Sequence, residues 1–185
     1  MKKHAAALAL LLAAIAAQAQ TQPHAYAMFG PGVSHLSLDC TGAKTCESSD
    51  RGLKVAAGYA LGNGLSLEAG YLQFGKFTAS DDSMYLAVKP SAVTLAAAFT
   101  LPLGSDWAVS ARLGAAQVRT RVTAGSGAIV GSDSQSKAKL YAGLGASYAI
   151  SKTVKLELGV DSTQAEFAGE KGTLRLIGLG MSFEF

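Results

Sequence analysis

"LKVAAGYALGNGLSLEAGYLQF", residues Leu53 to Phe74, holds two alternating runs on either side of a tight turn. In the first, Leu53, Val55, Ala57, Tyr59 and Leu61 alternate with Lys54, Ala56, Gly58 and Ala60. In the second, Leu65, Leu67, Ala69 and Tyr71 alternate with Ser66, Glu68, Gly70 and Leu72. A period of two puts unlike side chains on opposite faces of a strand. Gly62-Asn63-Gly64 between the runs has the composition of a hairpin turn. The stretch therefore reads as two antiparallel strands with one apolar face and one face of small residues and isolated charges.

The pattern recurs. "VTLAAAFTL" from Val93, "WAVSARLGA" from Trp107, "LYAGLGASYAI" from Leu140 and "VKLELGVD" from Val154 all alternate in the same way. So does the ending, "LIGLGMSFEF", where Ile177, Leu179, Met181, Phe183 and Phe185 alternate with Gly178, Gly180, Ser182 and Glu184. A first segment near Tyr26 to Leu36, interrupted by Pro31, brings the expectation to eight strands. Proline donates nothing to a ladder and marks a bulge or edge. Short turns at 62–64, 102–106 and 151–153 alternate with glycine-rich polar stretches at about 37–52, 76–91, 119–137 and 163–172. The connectivity predicted is an up-and-down meander with four long loops at one end and both termini at the other.

The composition of the non-apolar face decides which face is outside. A water-facing surface carries dense Lys and Glu. This face carries Gly, Ala, Ser and Thr, with Lys54, Glu68, Arg112 and Glu157 set singly among them. That is the composition of a cramped barrel interior, so the apolar face points at lipid. Charged residues make up 16% of the chain, against about 25% in soluble domains. Tyr59, Phe99, Trp107, Tyr148, Phe183 and Phe185 fall on the apolar face near the short-turn end, as an interfacial aromatic girdle does. The fold expected is all-β: an eight-stranded antiparallel up-and-down transmembrane β-barrel, which leaves no sheet edge unpaired in lipid.

Export is read from the start of the chain. Lys2 and Lys3 precede an apolar run from Ala5 to Ala17, and Ala17-Gln18-Ala19 has the form of a cleavage site, as in a secretory signal peptide. Residues 1–19 are thus expected to be the signal peptide and 20–185 the barrel domain. Losing Lys2 and Lys3 takes the basic count from 16 to 14, against 13 acidic residues. A near-neutral chain has no broad footprint for nucleic acid. Cys40 and Cys46, in an oxidising compartment, are expected to form a local disulfide.

Asp50 to Lys76, "DRGLKVAAGYALGNGLSLEAGYLQFGK", resembles the second and third strands of the OmpA-like transmembrane barrel domain family. "TLPLGSDWAVSARLG", Thr100 to Gly114, is similar to that family's fourth-to-fifth strand turn, and the cysteine pair before Asp50 to its first loop. The protein that gives the family its name continues into a periplasmic peptidoglycan-binding domain. This sequence ends at the barrel, so the resemblance implies no cell-wall anchoring. It implies a small outer-membrane barrel, structural or porin-like, with periplasmic termini and an interior closed by an ionic network. Lys54, Glu68, Arg112 and Glu157 match that network by position and inward parity. The implied partners are outer-membrane lipid and lipopolysaccharide, and the outer-membrane assembly machinery. The alternating ending with Phe183 and Phe185 resembles the signal that machinery reads.

Catalysis finds little footing. "SHLS" supplies Ser34, His35 and Ser37, with Glu47 beyond, and resembles the H-x-S element of lipid A deacylase barrels. In those enzymes, however, the element lies late in the chain. The bland reading is a polar strand–loop junction. His24 has no evident partner, and no catalytic set, metal site or cofactor is expected. The function expected is membrane structure or surface interaction through four extracellular loops. A narrow channel for ions or small solutes ranks second, and a lipid A-modifying enzyme third. No ligand of the loops is recognisable in the sequence.

Overall fold

The computed structural model describes residues 22–37, 44–81, 84–126, 129–167 and 169–185. Its strands are β1 (His24–Leu36), β2 (Thr45–Glu47), β3 (Ser49–Gly62), β4 (Leu65–Gln73), β5 (Phe77–Ser80), β6 (Tyr85–Pro102), β7 (Trp107–Ser126), β8 (Ile129–Ala149), β9 (Val154–Phe167) and β10 (Glu170–Glu184). All pairings are antiparallel. The ladder runs β1–β3–β4–β6–β7–β8–β9–β10 and returns to β1, a closed barrel of eight staves. The short β2 and β5 extend the staves of β3 and β4 beyond the main ladder.

The hairpin of β3 and β4 turns on Gly62, Asn63 and Gly64, all at positive φ (94°, 54° and 77°), conformations that glycine and asparagine tolerate best. β1 begins and β10 ends at this end: Tyr26 pairs with Glu184, and the Phe185 N–H donates to the Ala25 carbonyl at 2.9 Å. Pro31 leaves its mark on the closing seam. Pairing of β1 with β10 runs to Phe29–Met181 and resumes at Gly32–Gly178, while the β3 side of β1 stays in unbroken register.

The stretches expected as long loops are mostly strand. β7 and β8 continue through 119–137 to Ser126 and from Ile129, and β6 begins at Tyr85 within 76–91. β9 and β10 together occupy most of 163–172. The reason is a reversal of phase. In the lower barrel the large apolar residues point out, as Val93, Leu95 and Phe99 do on β6. In the upper barrel most of them point in, those at the tips of β6 and β8 (Tyr85, Leu86, Ile129, Val130) excepted: Val118 and Val122 on β7 are buried while Gln117, Arg119 and Arg121 are exposed. Leu174 and Leu176 on β10 are buried beside an exposed Arg175. The lower half has lipid as its solvent and the upper half water. A reader following one apolar phase loses the strand where the solvent changes.

That boundary follows the register around the barrel. The last outward apolar residues are Val33, Leu53, Tyr71, Val93, Ala115, Leu140, Val160 and Ile177; the next outward positions along β1, β3, β4, β7 and β10 are His35, Arg51, Gln73, Gln117 and Arg175. From Val93 to Leu101, β6 has the length that a tilted transmembrane strand needs, about 9–11 residues.

The inward apolar residues form a plug. Leu36, Leu72, Phe74, Phe77, Val88, Val118, Tyr141, Leu174 and Leu176 make one buried cluster, with Phe74 and Phe77 at 0% exposure. This corrects the expectation of a lumen lined throughout by small and polar residues. Truncating a buried Phe costs about 3–5 kcal/mol through lost transfer energy and the cavity left behind. Phe74→Ala is expected to lower the barrel's unfolding free energy by that amount in urea titration of refolded protein. Leu95→Ala, which removes a lipid-facing side chain and leaves no internal cavity, is expected to cost much less.

Candidate functional site: a layered lumen

Below the plug the interior is polar, and two ionic groups hold its middle. Arg112 on β7 points inward and is 4% exposed. Its Nε donates to Glu68 Oε2 of β4 at 2.8 Å, and its Nη2 to Glu157 Oε1 of β9 at 2.7 Å. The Tyr26 hydroxyl of β1 donates to Glu68 Oε1 at 2.7 Å. One guanidinium thus bridges two carboxylates contributed by opposite parts of the ring. Its planar fork lets it do so where a lysine would supply a single point charge.

Lys54 is not part of that group. Its Nζ donates to Asp161 Oδ1 and Oδ2 of β9 at 2.9 and 3.0 Å, and the Tyr141 hydroxyl also donates to Asp161 Oδ1. Asp161 and Tyr141 were not singled out from the sequence. The signal was present: Asp161 lies four residues from Glu157, with the same inward parity, and Tyr141 shares the parity of Gly143.

Glycine makes room for these charges. A Cβ built on Gly145 falls 3.0 Å from Arg112 Nη1 and 3.2 Å from Glu157 Oε1, and one on Gly58 falls 2.3 Å from the Tyr26 ring. A side chain at Gly145 crowds the Arg112–Glu157 pair, and one at Gly58 crowds Tyr26, the hydroxyl donor to Glu68. Both charged groups are nearly out of water, so each needs its counter-ion. Arg112 Nη1 keeps no hydrogen-bond partner among the described residues.

Beneath the ionic layer, toward the short turns, lies a cavity of about 300 Å³. Ser66, Ser110, Ser147 and Ser182 are among its walls. His24 stands at its mouth with Nε2 3.5 Å from Glu184 Oε1, and Lys155 pairs with the same carboxylate. His24 therefore has a partner that the sequence reading did not supply.

The remaining candidates separate. Ser34 is buried and donates to the Asp50 carbonyl, whereas His35 is exposed on the opposite face of β1 and its Nδ1 lies 3.0 Å from Ser49 Oγ. Glu47 accepts a hydrogen bond from Thr78. Ser34, His35 and Glu47 therefore share no site. The six aromatics Tyr59, Phe99, Trp107, Tyr148, Phe183 and Phe185 are all exposed on the outer face, and the Trp107 and Tyr148 rings, paired across β7 and β8, have centroids 5.0 Å apart. Cys40 lies outside the described residues, and its pairing with Cys46 of β2 with it.

Above Ala142–Ser162 the ladder between β8 and β9 ends. A side-chain clasp takes its place. Lys139 donates to Glu166, a hydrogen bond that holds the Glu166 carboxyl below the usual carboxylate range, and the Thr163 hydroxyl donates to the Leu140 carbonyl at 2.9 Å.

Removing Arg112 alone leaves Glu68 and Glu157 buried without a counter-ion. Arg112→Met is expected to cost about 3–5 kcal/mol in urea unfolding. The triple variant Glu68→Gln, Arg112→Met, Glu157→Gln is expected to recover most of that loss. A triple variant no more stable than the single one would mean that Arg112 acts by volume and not by charge.

The sequence profile of a family described as "Outer membrane protein beta-barrel domain" matches residues 5–185. No curated protein matches the chain. Among solved structures, the attachment invasion locus protein Ail of Yersinia pestis, in complex with the heparin analogue sucrose octasulfate, superposes with a TM-score of 0.59 at 20% identity. That match covers 88% of this chain and 100% of Ail. Neisserial surface protein A superposes with a TM-score of 0.58 at 18% identity, covering 87% of this chain and 97% of its own. The N-terminal β-barrel domain of Pseudomonas aeruginosa OprF gives 0.56 at 15% identity, covering 91% and 100%. At these identities the likeness is one of fold.

Proposed function

The chain belongs to the outer-membrane β-barrel domain family and resides in the outer membrane, and from that premise we propose that it works as a closed barrel whose function lies at its outer surface. The supporting observation is the interior. The Phe74–Phe77 plug stands in series with the Arg112 ionic layer, so a permeating ion would have to cross both. On this reading the four connections at the β7–β8 end face outside the cell, and structure or attachment is carried there. The seating of sucrose octasulfate on Ail makes a polyanionic surface partner one form such attachment takes. The separation of Ser34 from His35 supports a non-enzymatic role. Cleavage after Ala19 and a Cys40–Cys46 disulfide belong to the same proposal.

A narrow channel is the second reading, favoured by the cavity of about 300 Å³, room for several waters, that lies between the short-turn end and Arg112. Planar-bilayer recording separates the two. The closed-barrel reading expects no sustained conductance from the wild type, and conductance only when both barriers are opened together, by Phe74→Ala and Phe77→Ala with Arg112→Ala. Steady wild-type conductance that responds to Arg112→Ala and not to the plug would overturn it in favour of the channel.

Phe183 and Phe185 are proposed as the assembly signal. Deleting Phe185 removes one outward side chain at the rim, so the refolded barrel is expected to lose little stability. Assembly in cells, scored by heat-modifiable gel mobility in membrane fractions, is expected to fall severalfold. Equal losses in both measurements would leave Phe185 as an ordinary girdle residue.

A further inference from the structure

One wall of the barrel carries a charge arrangement that the fold does not need. On the outer face of β6 and β7, Lys89 pairs directly with Arg121, and Ser91 with Arg119. Like charges placed opposite each other on one face of a sheet are destabilising. All three basic side chains are exposed, and no carboxylate among the described residues forms an ion pair with any of them. Lys76, in the connection after β4, joins them across a concavity of about 490 Å³. Its Nζ stands 5.3 Å over the Tyr85 ring. Asp50 also borders the concavity: its carboxylate accepts from the backbone N–H groups of Arg51 and Lys76 at 2.7 and 2.6 Å, and its charge offsets part of that of Lys76. The floor is Tyr71, with Gln73 and Ser91 beside it.

The height of this concavity matters as much as its charge. Tyr71 and Val93, paired with each other, are the last lipid-facing residues of β4 and β6. Arg119 and Lys89 lie one and two outward positions above that level, about 7 and 14 Å along the strands. They project sideways, over the lipid, and not upward from the tip of the barrel. Three cations near the level of the headgroups, Lys89, Arg119 and Arg121, which form no ion pair among the described residues, with Lys76 across the concavity, are suited to phosphate. Arginine and lysine bind phosphate oxygens through charge-assisted hydrogen bonds, arginine through its fork.

We propose that Lys76, Lys89, Arg119 and Arg121 form a binding site for the phosphorylated headgroup of a glycolipid in the outer leaflet. The proposal rests on the reading that this end of the barrel is the outer one. The bound phosphates supply the negative charge that the Lys89–Arg121 pair lacks, and the acyl chains run down the apolar wall of Tyr71, Val93 and Leu95. The protein thereby fixes one lipid at a defined position on its circumference.

The test uses the whole barrel in nanodiscs of phosphatidylcholine, with and without diphosphorylated lipid A, reading thermal midpoint and the lipid A retained by native mass spectrometry. Lipid A is expected to raise the midpoint of the wild type. The variant Lys89→Gln, Arg119→Gln, Arg121→Gln is expected to bind lipid A about tenfold or more weakly. In phosphatidylcholine alone the same variant is expected to be more stable than the wild type, because the like-charge pair is gone. This change of sign is one that a merely structural role does not produce. Arg121→Gln alone serves if the triple variant does not show the folded gel mobility. The control Lys137→Gln, Lys171→Gln removes two cations elsewhere on the outer end and is expected to leave binding unchanged. Equal losses in site and control variants would reduce the effect to general charge and overturn the site. An equal rise in midpoint with inorganic phosphate in place of lipid A would overturn the lipid assignment. So would a response to sulfated oligosaccharide and none to lipid A. Labelling of Ser134→Cys on intact cells with a membrane-impermeant thiol reagent reports separately on which end is outside. Absent labelling with intact lipid A binding would defeat the orientation and leave the phosphate site standing.

Discussion

Backbone hydrogen bonding in lipid is the constraint from which the rest of the structure follows. A strand in hydrocarbon has no water to satisfy its N–H and C=O groups, so the sheet must close on itself. Here β1 meets β10, and the ring is complete at eight staves. Eight strands make an interior only wide enough for side chains. That narrowness explains the inward glycines and alanines of the lower barrel, and it explains why the few inward charges meet each other. Gly145 leaves room for Ser110 and the Arg112–Glu157 pair, whose atoms a Cβ there would crowd.

The interior is arranged by which end of the barrel water reaches. At the short-turn end a small cavity has four serines among its walls and is bordered by His24, Lys155 and Glu184. The two ionic groups come next. Above them the apolar plug resembles the core of a soluble protein, and for the same reason: the strands around it stand in water, so the apolar side chains have to turn inward. A single chain thus reverses its hydrophobic pattern partway along most of its staves. Energetically the two halves rest on different terms, lipid contact outside below and packing inside above.

That reversal also explains what was legible in the sequence. Where the apolar phase faces lipid, as in Leu53–Leu61 or Val93–Leu101, alternation gave the strands, their order and their inward face directly, and the OmpA-like resemblance is borne out by the family match. Above the boundary the inward Val118 and Val122 are separated by Arg119, Thr120 and Arg121, and a polar outer face reads as loop. Parity placed Glu68, Arg112 and Glu157 on the inner face. It did not assign Lys54 its partner, because pairing around a barrel depends on stagger, which no single strand encodes. The collar of Lys89, Arg119 and Arg121 was hidden for a similar reason: its members come together only through the register of β6 with β7.

The central claim is that the apolar outer face of the lower barrel is in contact with lipid. Trp107 is the protein's one tryptophan, and it is 56% exposed on that face, beside Tyr148. Its fluorescence in bilayers of lipids brominated at successive depths along the acyl chain measures the contact without any substitution. The account predicts blue-shifted emission, with quenching strongest for bromines nearest the headgroup and fading toward the bilayer centre. Red-shifted emission that no brominated lipid quenches, from protein that stays dissolved without detergent, would contradict it.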